Sequence, residues 1–257
     1  IGSSGWTGLL LASVSGNLDC IKYLVKDGAK INEVTADGHS ALNIATINGH
    51  VDVVRYFLEL KVNIDHQDSI EEWSPLHAAS SRGFTEIARM LIDAGADIES
   101  EDRTDWTPLH HACRYGYSSI VKLLIDKGAK LDKTINDENE ETALHLAAKF
   151  GHIDVVQVLL SKTINVNIED KLERTPLHLA VISNHSQIVQ SLLGRKAKIN
   201  VKDNKGNTPL HYAVRANSES IAEMLLRNGA SQIIENDDSV TAQHLARNNY
   251  NMLNILR

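Results

Sequence analysis

Apolar residues in this chain form no long runs; they recur in pairs of short stretches at helical spacing. The pattern is clearest in residues 107–132, TPLHHACRYGYSSIVKLLIDKGAKLD. Leu109, Ala112 and Cys113 give one short helix a narrow stripe of mostly small side chains. Thr107 is a favoured N-cap, Pro108 suits the first helical position, where no backbone donor is needed, and Gly116 can close the helix at positive φ. Ile120, Val121, Leu123 and Leu124 predict a second helix, with Lys127 suited to the dipole of its last turn and Gly128 ending it. The polar residues that follow are long enough for a hairpin-like finger. The same order restarts at Thr7, Ser40, Ser74, Thr107, Thr142, Thr175, Thr208 and Thr241, in steps of 33 to 35 residues. One helix pair cannot bury its apolar faces alone, and a fixed period of this size marks a solenoid of stacked pairs.

The motif at each restart carries a resemblance. It reads SPLHAAS at 74–80, TPLHHAC at 107–113, TALHLAA at 142–148, TPLHLAV at 175–181 and TPLHYAV at 208–214, and all four prolines (Pro75, Pro108, Pro176, Pro209) hold one repeat position. The chain resembles the ankyrin repeat family over nearly its whole length. The resemblance implies an all-α solenoid with short β-hairpin-like fingers: about seven full repeats and a C-terminal capping repeat in a single domain, 1–257. The expected repeats are 1–32, 33–65, 66–98, 99–132, 133–166, 167–199, 200–233 and 234–257. Several places depart from the pattern. Asn43 stands where the motif has His, and Lys61-Val62 replaces Gly-Ala, so the second helix there is expected to end less cleanly. Thr163 and Lys196 replace the second Gly and are expected to loosen those turns. Fingers 66–73 and 133–141 are enlarged. Gln243, Asn248, Asn249 and Asn251 make the eighth repeat polar, as a cap requires. Ile1–Trp6 reads as half a finger followed by an apolar first helix (Leu10, Leu11, Val14), which points to preceding repeats or to a cloning remnant at Gly2–Gly5.

Charge and composition narrow the function. A net charge of −7 with no basic face argues against a nucleic-acid partner. Two cysteines make no disulfide framework; Cys20 and Cys113 read as small core residues of a reducing, cytoplasmic protein. No apolar run reaches membrane-spanning length, so no membrane insertion is expected, and the chain reads as a monomer.

Six of the twelve histidines (His77, His110, His145, His178, His211, His244) are the motif histidine. Their rows in stacked repeats lie roughly 8–10 Å apart, too far to converge on one metal ion. In the ankyrin family this side chain bonds within and between fingers. His50, His152 and His185 fall in the turns, while His39, His66 and His111 have no telling spacing. Cys113 near His110 lacks an oxyanion donor or pocket. No catalytic, metal or cofactor residue is expected, and the chain reads as a non-enzyme. Trp6, Trp73 and Trp106 each precede the capping residue, where His39 stands in repeat two. The resemblance implies that this position faces a concave groove. Trp, Tyr and Arg are the residue types enriched in binding hot spots, so Trp73, Trp106, Arg82, Arg103, Arg114, Tyr115, Phe150, Glu141 and His39 form the expected partner-binding face. The fingers are rich in acid, including Glu71, Glu101 and the run Asp137–Glu141, which suits a partner carrying basic residues. The expected function is a protein-interaction module holding a protein or extended peptide across repeats three to five, in a segment of a larger protein. The alternative is a structural or regulatory spacer of a larger enzyme, channel or toxin that contacts its own chain.

Overall fold

The computed structural model describes residues 5–136 and 138–256; Gly2, Ser3 and Ser4 of the opening stretch and Asp137 of the acidic run lie outside the described residues. These residues divide into two compact units, one ending at Lys130 and one beginning at Leu131. The first contains four helix pairs and the second four more, so the repeated helix pairs that the period predicts are present, and the fold is the ankyrin-repeat solenoid that the resemblance implies. Among the described residues no strand extends beyond isolated antiparallel bridges, at Val34–Ser40, Thr134–Thr142 and Glu235–Thr241.

Each repeat is built as its residues dictate. The opening Ser or Thr is extended, and Pro follows at the first turn in Pro75–Arg82, Pro108–Tyr115, Pro176–Ile182 and Pro209–Arg215. Gly83, Gly116 and Gly151 cap their helices in the left-handed region. Within each unit the first helices pack on one another in chain order. They bury Leu76, Ala79, Leu109 and Ala112 in one unit and Leu144, Ala147, Leu177 and Ala180 in the other, the small side chains allowing close approach.

The motif histidine joins one repeat to the next. His77 Nδ1 accepts from the Ser74 amide at 3.1 Å and its Nε2 donates to the Trp106 carbonyl at 3.0 Å. His145 reaches the Arg174 carbonyl, His178 that of Asn207 and His211 that of Val240, at 3.0–3.2 Å. Burial lowers the pKa of His77 and His145 to about 4, and that of His178 and His211 in the same direction, so the rings are neutral. Asn43 performs the same task with an amide: its oxygen accepts from the Ser40 amide and its nitrogen donates to the His66 and Trp73 carbonyls.

Three expectations need correcting. Cys20, read as a small core residue, is exposed, and only Cys113 is buried. The second helix of repeat two, Val51–Glu59, is as long as its counterpart Thr85–Asp93, because Lys61 itself adopts the left-handed turn at φ 54°. Lys196 does likewise at φ 61° and ends Ser186–Gly194 normally. At Thr163 the expectation holds in another form: helix Ile153–Leu160 stops a residue early, with Ser161 Oγ donating to the Val158 carbonyl.

Candidate functional site

The fingers are folded by one side chain. In the fourth finger Asp102 Oδ1 accepts from the amides of Thr104 and Trp106. Asp170 Oδ1 takes those of Leu172 and Arg174, and Asp203 Oδ1 those of Lys205 and Asn207. Successive fingers are then linked by single backbone bonds, Arg103 N–H to Glu71 O in one unit and Asn204 N–H to Leu172 O in the other. In the third finger Asp68 gives Oδ1 to the Ile70 and Glu71 amides and Oδ2 to that of Trp73, whereas in these three the turn uses only Oδ1. That leaves their second oxygen free for whatever side chain stands opposite. There the two units differ.

In the first unit Asp102 Oδ2 accepts from His111 Nε2 at 2.8 Å and Trp73 Nε1 at 3.1 Å. His111 is only 5% exposed. It lies between two tryptophans, with ring centroids 4.7 Å from Trp73 and 5.1 Å from Trp106. Burial alone would raise the Asp102 carboxyl, but the bonds from His111, Thr104 and Trp106 outweigh it and hold the group at about 2. Arg114 stacks over Trp106 at 5.6 Å and over Tyr115 at 5.8 Å, and Tyr115 is 47% exposed. A charged carboxylate thus fixes an aromatic row whose outer members stay half-buried.

In the second unit the same oxygen meets cations or a phenol. Asp170 Oδ2 receives Arg174 Nε at 2.8 Å, and the guanidinium lies 3.7 Å from Glu141, which also accepts from Lys149 at 2.8 Å. Asp203 Oδ2 receives the Tyr212 hydroxyl. Burial and that bond push Tyr212 up to about 12.

The residues singled out from sequence are placed as follows. Trp73, Trp106, Arg114 and Tyr115 come together. Arg103 bonds the Ser69 carbonyl and faces Glu72 at 3.6 Å, and Arg82 is exposed on the preceding helix end. His39 is half-buried, its amide bonded to Thr35 Oγ1 and its carbonyl to the Thr35 amide. Phe150 and Glu141 belong to the second unit. Glu141 is 1% exposed, with its carboxylate facing Lys149 and Arg174 of its own unit. Sequence reasoning missed His111, Tyr212 and Arg174. The available signal was the variable residue of TPLHxA, polar at His111 and Tyr212 and apolar at Ala78, Leu146 and Leu179. No cluster of three His, Cys, Asp or Glu suited to a metal occurs among the described residues. Burial pushes the Cys113 thiol up, which disfavours the nucleophilic thiolate. No helix among the described residues is long and apolar enough to cross a membrane.

The family model for ankyrin repeats (3 copies) matches residues 2–68, 60–135, 131–203, 164–237 and 195–257. Human protein phosphatase 1 regulatory subunit 27 is 45% identical over 94 residues, 37% of this chain and 39% of that protein. The mouse protein of the same name is 39% identical over the same shares. Glycerophosphocholine phosphodiesterase gde1 of Schizosaccharomyces pombe is 32% identical over 95 residues, 37% of this chain but 8% of that protein. The chain thus matches well under half the length of each relative. Among solved structures, the ankyrin repeat domain of Bcl-3, described as a unique member of the IkappaB protein family, overlays with a TM-score of 0.76 at 29% identity. It covers 86% of this chain and 99% of that one.

Proposed function

Because the chain belongs to the ankyrin repeat family, whose repeats are generally protein-interaction modules, we propose that it binds a partner protein through the finger side of its first unit. The observation that carries this reading is the row Trp73–His111–Trp106, locked by Asp102 and flanked by Arg114 and the exposed Tyr115. Side chains held in place before binding lose little freedom on association, and aromatics so held make efficient anchors. The partner segment is extended and carries basic residues, which meet the acidic finger residues Glu71, Glu101 and Asp105. Those charges speed encounter more than they strengthen the complex. The groove reading does not use Glu141, whose charge is spent within its own unit.

A second reading draws on the resemblance to gde1, in which the similar segment is a small part of a much longer enzyme. Here the module serves as a regulatory region that contacts the rest of its own protein. Neither reading includes catalysis by this segment.

The test replaces tyrosine at position 115 with a photo-crosslinking amino acid, identifies the captured protein by mass spectrometry, and measures its affinity by calorimetry. Trp106→Ala and Tyr115→Ala should each weaken binding by more than about 1 kcal/mol with the fold intact. Unchanged affinity in both variants would remove the reading. Capture of the chain's own flanking sequence would favour the regulatory alternative.

A further inference from the structure

The first helix pair, Gly8–Ser15 and Leu18–Lys26, leaves open a face that later repeats bury. Leu11 holds the variable place of the motif and is 57% exposed, whereas Ile44, Ala78, His111, Leu146 and Leu179 in the same place are 1–5% exposed. Cys20 is exposed, whereas Val53, Ile87, Ile120, Val155, Ile188 and Ile221 in its place are buried. Leu24 is half-buried, whereas Phe57 and the five leucines that follow in its place, from Leu91 to Leu225, are buried. Positions that are buried in later repeats and open in the first are those that a preceding helix pair covers.

Apolar residues scattered singly on a surface are ordinary, but these share one face. Cys20 and Leu24 lie one turn apart, as do Leu11 and Val14, and Val14 and Tyr23 are exposed with them. The charges beside this face are self-complementary. Asp19 stands in the first turn of Leu18–Lys26 and Lys26 in its last, on one stripe of the helix. Two such helices packed antiparallel about a two-fold axis bring each Asp19 to the other's Lys26. Residues 5–30 hold Lys22, Lys26 and Lys30 against Asp19 and Asp27, so the excess acid of a chain with net charge −7 lies elsewhere. Two copies therefore meet here with little repulsion.

We infer that this face is the interface of a homodimer, in which the open helix pair of one copy covers that of another. A helix pair is the surface that fits, because a helix pair covers this face in later repeats, and a second copy offers one with the same face uncovered. Leu11 and Cys20 form the apolar centre near the axis, and the Asp19–Lys26 pairs at the rim fix the antiparallel register. A dimer departs from the monomer expected from sequence, because periodicity shows which positions face a neighbour and not whether one stands there. Its interface uses none of the residues assigned to the partner site at Trp73 and Trp106.

Sedimentation equilibrium of the intact chain under reducing conditions should give a mass near twice 28.3 kDa. Leu11→Glu, at an exposed position where the melting curve stays in place, should raise the dimer Kd at least about tenfold. Asp19→Lys should also weaken association, and adding Lys26→Asp to it should restore the dimer. A short bismaleimide, which adds to two thiols, should join copies through Cys20, the buried Cys113 being out of reach, and Cys20→Ser should abolish the product. Tyr115→Ala should change none of these results. A monomer at every concentration would overturn the inference and leave the face to a helix pair from another source. A dimer indifferent to Leu11→Glu, one not rescued by the charge exchange, or one that gives no Cys20 cross-link would put the contact elsewhere and overturn it as well.

Discussion

The fourth and sixth fingers share a backbone and differ in what their aspartate holds. In each, Oδ1 accepts two amides of the finger turn, at residues 104 and 106 or 172 and 174. In the fourth, Oδ2 orients a histidine and an indole; in the sixth, it is bridged by an arginine into a buried group with Glu141 and Lys149. The lesson is a division of labour within one carboxylate. One oxygen serves the fold and is satisfied alike in both places. The other takes the side chains that neighbouring positions supply, so a repeat protein can vary its surface without disturbing its frame.

The largest expected effect strikes what the two units share. His77 and His145 have folded pKa values near 4 against 6.5 for the free side chain, because burial disfavours the charged ring. Their contribution is therefore complete above pH 6.5 and is lost as pH falls towards 4, about 3 kcal/mol for each histidine. Chemical denaturation at pH 7 and pH 4.5 should show a steep loss. His145→Asn should reduce that loss, since Asn43 already makes the equivalent bonds without titrating. An undiminished loss in this variant would mean that the histidines are not its source.

The next effect separates the units. Asp102→Asn keeps Oδ1 but turns an amide donor towards the Trp73 and His111 donors, leaving at least one buried group unpaired, at a cost of about 2 kcal/mol. Tryptophan emission should shift as Trp73 loses its anchor. Asp203→Asn faces a hydroxyl, which can rotate to accept, and should cost under about 1 kcal/mol. Equal costs measured by urea denaturation would abolish the distinction drawn between the fingers.

Much of this molecule was legible in its sequence, and the part that was not has a physical cause. The period, the caps and the first-helix stripe encode local geometry, so the repeats emerge from residues within a few positions of one another. The tryptophans were visible as a set because they recur in register. The pairing of His111 with Asp102 was not, because it joins a finger to the helix that follows through a side chain the motif leaves open. Glu141 was misjudged for a related reason. It stands in an acidic run, yet it is the member turned inward, towards a lysine eight residues on and an arginine of the next repeat. Composition could not distinguish it from the exposed Glu138 beside it.

The finest comparison lies at the fingertips, where one backbone conformation is filled by different residues. Gly206 has φ 72° and Glu173 φ 56°, both left-handed. A Cβ on Gly206 would stand 2.8 Å from the Asp237 amide nitrogen and 3.0 Å from Asn236 Cα, backbone atoms that cannot swing aside. Gly206→Ala therefore combines a disfavoured φ with a close approach and should cost about 1–2 kcal/mol. Glu173→Gly removes a side chain from a conformation that glycine adopts freely. Relief of the left-handed penalty, about 1 kcal/mol, is largely offset by the extra freedom glycine gains in the unfolded chain. The net should be a stabilisation of about 0.5 kcal/mol or less, read as a rise of a degree or two in Tm. If Glu173→Gly instead destabilises the chain, the carboxylate contributes to the sixth finger beyond its backbone, and the two tips differ in more than the room around them.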